Sequence, residues 1–375
     1  MKETIIPFNH GGDITSFMKK IGKSEEDILD FSSNINPLPI SPALTKVYQD
    51  AMTCISRYPD SYAREFCREI GIRFGVDSDR VIAGNGAISL IDLVLRAYRP
   101  QQALLVQPCF NEYQRLLHLY GAQVREIFLR EEEEFRFSYE DILDHLEGID
   151  MLILGYPNNP TGTALDRQEV IALIQETKRR GVFLLIDEAF IDWNPQLSID
   201  QEIKQNPSLV VVRSLTKFFG LAGIRSGFAL ADPRIIEKMR SVQEPWSCNG
   251  LAQRLSVAAL REVEFQQRTL SWFREESKFL GKRLSLIPGI KVFPSLANFF
   301  LAKLMNPDEE EVFWTHLESQ GIYLREMSDF PGLSRQYFRM ALKTREENLI
   351  LIDRLQEILR ENKADKILVE LDCRK

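Results

Sequence analysis

The chain has 375 residues, 44% hydrophobic and 27% charged, with 54 acidic against 47 basic side chains and a formal net charge of −7. That length exceeds one small core and predicts two subdomains. The acidic balance argues against a duplex-binding protein, although local arginines can still hold an anionic ligand.

In chain order, the first polar stretches are His10-Gly11-Gly12-Asp13, Phe31-Ser32-Ser33-Asn34-Ile35-Asn36-Pro37 and Arg57-Tyr58-Pro59-Asp60. Short apolar runs then alternate with helical patterns, which predicts an α/β domain on a largely parallel sheet. The runs are Val81-Ile82-Ala83, Ala103-Leu104-Leu105-Val106, Met151-Leu152-Ile153-Leu154, Val182-Phe183-Leu184-Leu185-Ile186 and Leu209-Val210-Val211-Val212. Each is short enough to be a strand covered on both faces. Between them, Arg167 to Arg180 is amphipathic and closes on Lys178, Arg179 and Arg180, as suits a helix C-terminus. The acidic run Glu131 to Glu134 reads as a solvated loop. A long helix from about Glu262 to Leu284 leads into strand-like alternation over Gly289 to Lys303, a helix over Glu309 to Gln320 and a strand over Tyr337 to Leu342. These compose a smaller α+β domain of roughly 100 residues. The expected division is an N-terminal arm and substrate-lid segment over residues 1–45, a large domain over 46–270 and a small C-terminal domain over 271–375.

Polar clusters follow the five runs: Gly84-Asn85-Gly86-Ala87, Pro108 to Tyr113, Pro157-Asn158-Asn159-Pro160-Thr161-Gly162, Asp187-Glu188-Ala189-Phe190 and Ser214-Leu215-Thr216-Lys217. In a parallel sheet these carboxyl ends share one edge, where open α/β folds bind ligands. Lys217 stands at the mouth of a buried strand, where an amine can lose its proton and attack a carbonyl. The hydroxyls of Ser214 and Thr216 and the guanidinium of Arg225 suit a phosphate. Gly86 and Ala87 open a helix whose N-terminus adds the other half of that cradle. A phosphate site beside a reactive lysine describes pyridoxal phosphate. Asp187 would then keep the cofactor's ring nitrogen protonated, making the ring an electron sink. Asn159 would donate to the ring's phenolic oxygen, and Phe110 would stack on the ring face.

These motifs, in this order, resemble the fold-type-I pyridoxal-phosphate enzymes of the aspartate aminotransferase superfamily, and within them the histidinol-phosphate aminotransferase branch. The resemblance implies an α/β transferase fold with a mostly parallel central sheet, helices on its faces and a smaller C-terminal domain. It also implies a homodimer in which Tyr58 reaches the partner's cofactor phosphate. Many relatives carry tyrosine three residues after the aspartate, where this chain has Phe190. The stretches around His10-Gly11-Gly12, Asn34 and Glu244-Pro245-Trp246-Ser247-Cys248-Asn249 are similar to the threonine-phosphate decarboxylases of cobalamin biosynthesis. That similarity implies decarboxylation of L-threonine O-3-phosphate, with His10, Gly11, Asn34, Asn159, Arg325 and Arg339 binding the substrate and Lys217 and Asp187 catalytic. Histidinol-phosphate aminotransferase remains the alternative, and a non-catalytic regulatory module that binds the cofactor is a more distant one.

Five scattered cysteines, Cys54, Cys67, Cys109, Cys248 and Cys373, form no CxxC pair, so neither a disulfide framework nor a metal site is expected. No run reaches the roughly 18 apolar residues of a membrane span, and Met1 to Thr4 lacks a signal-peptide pattern. A cytoplasmic protein with no membrane or nucleic-acid partner is expected.

Overall fold

The computed structural model describes residues 10–372, with side chains to residue 360. Seven strands form the larger sheet: β1 (Val81–Gly84), β2 (Gln102–Gln107), β3 (Gln123–Phe128), β4 (Met151–Gly155), β5 (Phe183–Asp187), β6 (Leu209–Ser214) and β7 (Gly227–Ala231). Their order across the sheet is β1-β7-β6-β5-β4-β2-β3. Only β7 runs against its neighbours, so the five strands expected from the sequence all point the same way. Strands β1, β4, β5 and β6 are buried along their whole length, which is why they read as apolar runs; β7 is equally buried but is not read as a strand from sequence. β3 lies at the sheet edge with Gln123 and Arg125 exposed, and this half-polar pattern is not read as a strand from sequence.

The helices follow from local signals. α1 (Ala87–Tyr98) begins directly after Gly86, and α2 (Asn111–Leu119) follows the turn after β2. α3 (Arg167–Arg180) opens on a capping box between Asp166 and Glu169 and ends at Gly181 in the left-handed region.

Contacts divide the chain into two compact units. One contains residues 35–274 and 295–298, and holds the seven-stranded sheet; the other contains residues 10–34, 275–294 and 299–372. Residues 10–34 therefore fold with the C-terminal part of the chain. Leu29–Asp30 pairs in parallel with Ile322–Tyr323, and the Phe17 ring stacks on Tyr323 at 4.2 Å. A four-stranded antiparallel sheet completes this unit, in the order β10-β11-β9-β8, from β8 (Ile290–Val292), β9 (Phe299–Leu304), β10 (Arg325–Glu326) and β11 (Tyr337–Ala341). The alternation read over 289–303 is thus two strands, with Pro294 in the loop between them.

Among the described residues no helix is long and apolar enough to cross a membrane. Cys54, Cys67, Cys109 and Cys248 form no disulfide; Cys373, like Met1 to Thr4, lies outside the described residues.

A buried ion cluster ties β5 to β6 beneath their polar ends. Arg213 donates to Glu188 Oε2 at 2.9 Å, to Asp192 Oδ1 at 2.5 Å and to Ser198 Oγ at 3.2 Å. Burial pushes the Glu188 carboxyl upward and the Arg213 charge opposes it, so the acid depends on its partner to stay ionised. Removing one member of such a pair strands a buried charge. Arg213→Ala should lower the unfolding free energy by about 3–5 kcal/mol in a denaturant titration; a loss below about 1 kcal/mol would show the cluster to be incidental.

Candidate active site

Three neighbouring strand ends set the phosphate-type cradle. Gly84 of β1 stands in register with Gly227 of β7, and Gly227 with Ser214 of β6. The Ser214 and Thr216 hydroxyls lie 2.7 Å apart and both residues are buried. Gly86 has φ +80° and ψ 169°, a region essentially closed to residues with a side chain. A Cβ there would lie 2.8 Å from the nearest guanidinium nitrogen of Arg225. Glycine is thus what lets the guanidinium approach the turn that opens α1 at Ala87. Arg225 itself is held in the left-handed region at φ +60°.

Lys217 follows β6 by three residues. Its carbonyl accepts the Asn36 N–H at 3.1 Å, while the Asn36 side chain donates to Phe218 O at 2.8 Å and to Thr269 Oγ1 at 3.1 Å. Buried Asn36 therefore pins the lysine loop, a role that the sequence pattern does not announce. The Lys217 amine lies 5.9 Å from the centre of the Phe190 ring.

Asp187 ends β5 and is only 6% exposed. Burial pushes its carboxyl upward, opposed by a hydrogen bond from Tyr113, another from the Ala189 N–H and the Lys217 charge. Tyr113 Oη donates to Oδ2 at 2.7 Å and Ala189 N–H donates to Oδ1 at 2.9 Å. Phe110 precedes α2 and meets the Tyr113 ring edge-on at 5.6 Å. Asn159 sits half-buried in the loop after β4. Its neighbour Asn158 anchors that loop, donating to Pro108 O at 2.8 Å and to Thr161 Oγ1 at 2.9 Å.

Tyr58 is set on a surface groove of about 660 Å³ lined by Ile55, Pro59, Trp246 and Leu251. It is 80% exposed, and its ring lies tilted against that of Trp246 at 4.6 Å.

The remaining expected residues lie in the other unit, where they gather around Ser32. Gly12 N–H donates to Ser32 Oγ at 2.8 Å, and Arg339 donates to Ser32 O at 3.0 Å. A Cβ on Gly11 would meet Ser32 O at 2.1 Å, which gives the glycine after exposed His10 its physical reason. Asn34 is 2% exposed, and its Oδ1 has no hydrogen-bond partner among the described residues. Arg325 and Arg339 are direct cross-strand partners on β10 and β11, both buried. Asp329 accepts from Arg325 at 2.5 Å. Among the described residues no cluster of His, Cys, Asp and Glu could hold a metal ion.

The residues present fit pyridoxal phosphate. A buried carboxylate whose two oxygens each already take one donor retains acceptor capacity for a cationic ring nitrogen. The side-chain-free turn at Gly86 brings the Arg225 guanidinium up to the N-terminus of α1, where a phosphate would meet both a cation and the helix's first N–H groups.

The family "Aminotransferase class I and II" matches residues 26–355, and the chain belongs to it; the cofactor of this family is pyridoxal phosphate. A threonine-phosphate decarboxylase of Salmonella typhimurium is 34% identical over 353 residues, covering 93% of this chain and 96% of the relative. A solved histidinol-phosphate aminotransferase from Clostridium acetobutylicum superposes with a TM-score of 0.83 at 29% identity, covering 89% of this chain and 100% of the other. A solved L-threonine-O-3-phosphate decarboxylase from Porphyromonas gingivalis shares the fold, with a TM-score of 0.78 at 24% identity over 88% of this chain and 99% of the other.

Two like charges directly opposite on paired strands repel each other. Burial first, and then the Arg325 charge, push the Arg339 guanidinium down to about 9. The unfolded chain keeps that proton well above pH 9, so above this point it binds more protons than the folded chain. Stability withheld by the buried charge is therefore regained as the pH rises through about 9. The melting temperature of the parent should climb relative to that of Arg339→Met between about pH 8 and about pH 10, without multivalent anions present. A constant difference would contradict this electrostatic reading.

Proposed function

We propose that this member of the aminotransferase class I and II family is a carboxy-lyase of cobalamin biosynthesis. It converts L-threonine O-3-phosphate to (R)-1-amino-2-propanol O-2-phosphate and CO2. The observation that carries the reading is the buried, mutually repelling pair Arg325 and Arg339, in a chain similar along its length to a threonine-phosphate decarboxylase. Two oxyanions, one phosphate and one carboxylate, answer such a pair. Asn34, with a buried carbonyl oxygen in need of a donor, and His10 with Gly11 complete the proposed substrate set with Asn159.

When bound, the cofactor supplies an electron sink for whichever Cα bond stands perpendicular to its ring. The protein's task is to choose that bond. Holding the substrate carboxylate and phosphate by guanidinium forks fixes the rotation about N–Cα, and so selects carboxylate loss over proton loss. Asp187, oriented by its two donors, faces the ring nitrogen and holds the proton there. Ser214, Thr216, Arg225, Gly86 and Ala87 hold the phosphate end, and Phe110 and Asn159 set the ring's plane. Lys217 carries the amine that holds the cofactor's aldehyde carbon, and once free delivers a proton to Cα. Phe190 beside it offers no phenolic proton, which leaves Lys217 as the acid at that position. Tyr58 acts across a homodimer, and its exposure beside the Trp246 groove supports that arrangement. A reducing cytoplasm suits the thiols that form no disulfide.

Incubated with L-threonine O-3-phosphate, the purified protein should release CO2 and yield no keto acid. Lys217→Ala should cut turnover by at least about 1000-fold. Arg325→Ala and Arg339→Ala should each raise KM about tenfold to hundredfold. Amino transfer from glutamate to imidazole-acetol phosphate without CO2 would instead assign histidinol-phosphate aminotransferase. Cofactor binding with neither reaction would assign the regulatory module.

A further inference from the structure

Tyr113 lies in the first turns of α2, is 2% exposed, and reaches out of its helix to the end of β5. Burial and the Asp187 charge hold its phenol well above the usual tyrosine range. The phenol therefore keeps its proton, and the 2.7 Å contact has one direction: Tyr113 donates, Asp187 Oδ2 accepts. The second carboxylate oxygen takes the Ala189 N–H. Two donors on different oxygens stop the carboxylate from rotating.

The room for this contact is built into the sheet. Gly155 of β4 is the register partner of Asp187. A Cβ on Gly155 would come within 3.4 Å of Tyr113 Oη and 3.2 Å of Asn158 Oδ1. Glycine at position 155 thus keeps the backbone of β4 in close reach of both the phenol tip and the Asn158 amide. Through its own backbone and ring, Tyr113 also fixes Phe110: its N–H donates to Phe110 O at 3.0 Å, and the two rings meet at 88°. One side chain thus sets both the carboxylate and the aromatic face.

We propose that Tyr113 is a positioning residue that acts through Asp187, holding the proton shared with the cofactor on the ring nitrogen. The proposal rests on the reading above, in which Asp187 faces that nitrogen. A buried carboxylate deprived of a donor becomes more basic and draws a shared proton towards itself. Without the Tyr113 hydroxyl the proton moves from nitrogen towards oxygen, and the ring loses capacity as an electron sink.

The test is 15N NMR of the full-length protein saturated with pyridoxal phosphate labelled at the ring nitrogen, together with the cofactor dissociation constant. Parent protein should give a pyridinium resonance. Asp187→Asn should move it to the neutral pyridine position; if it does not, the Asp187 reading fails and this proposal with it. Tyr113→Phe should move the resonance part of the way and weaken cofactor binding about tenfold or more. A Tyr113→Phe resonance at the parent position, with Asp187→Asn shifted, overturns the role of Tyr113 alone, even if the variant melts at a lower temperature. Should Tyr113→Phe fail to fold, 3,5-difluorotyrosine at position 113 keeps the shape and sharpens the donor. It should hold the resonance at the pyridinium position and bind the cofactor at least as tightly; movement towards neutral pyridine would overturn the proposal.

Discussion

A carboxylate at the end of a fully apolar strand is costly to bury, and Asp187 terminates one whose five residues are all buried. Hydrogen bonds from Tyr113 and Ala189 and the Lys217 charge offset part of that cost. In the proposed reading a cationic ring nitrogen offsets the rest, so that the strand end answers a charge the cofactor brings. The surrounding architecture serves that constraint. The parallel order of β4, β5 and β6 brings Gly155, Asp187 and Val212 into register, and the ion cluster of Glu188, Arg213 and Asp192 fastens β5 and β6 immediately alongside. Lys217 is delivered by the same strand that carries Arg213, three residues beyond Ser214.

Selectivity belongs to a different kind of electrostatics. Arg325 and Arg339 stand directly opposite on β10 and β11, where the Arg325 charge adds to the cost of burying the Arg339 guanidinium. In the proposed reading the substrate's two anions add to the negative charge that Asp329 already brings to Arg325. The proposed chemistry follows: the cofactor is indifferent to which Cα bond breaks, and the anchors of the substrate's anions decide. In this reading the family supplies the reactivity and the cationic pair supplies the reaction.

Much of this was legible in the sequence because buried parallel strands read as unbroken apolar runs and their polar ends read as motifs. The five strands and α3 follow from those patterns alone. β3 does not, because an edge strand bearing Gln123 and Arg125 looks like solvent-exposed chain. The roles of Asn36, Tyr113 and Asn158 were not legible either. Their partners are distant in sequence: Tyr113 and Asp187 are 74 residues apart, and Asn36 and Thr269 are 233 apart. Local pattern carries no signal for such contacts. Gly11 is the converse case, named only through a resemblance until the approach of Ser32 O supplied the steric reason. The association of residues 10–34 with the C-terminal unit likewise rests on pairing between Leu29–Asp30 and Ile322–Tyr323, two-residue strands too short to leave a periodicity.

The central claim is that one amine, on Lys217, holds the aldehyde of pyridoxal phosphate while Asp187 supports the ring. Borohydride reduction of the cofactor-loaded protein followed by peptide mapping tests it most directly. The account predicts a single pyridoxyl adduct, on the peptide containing Lys217. An adduct on another lysine, or none on a protein saturated with cofactor, would contradict it.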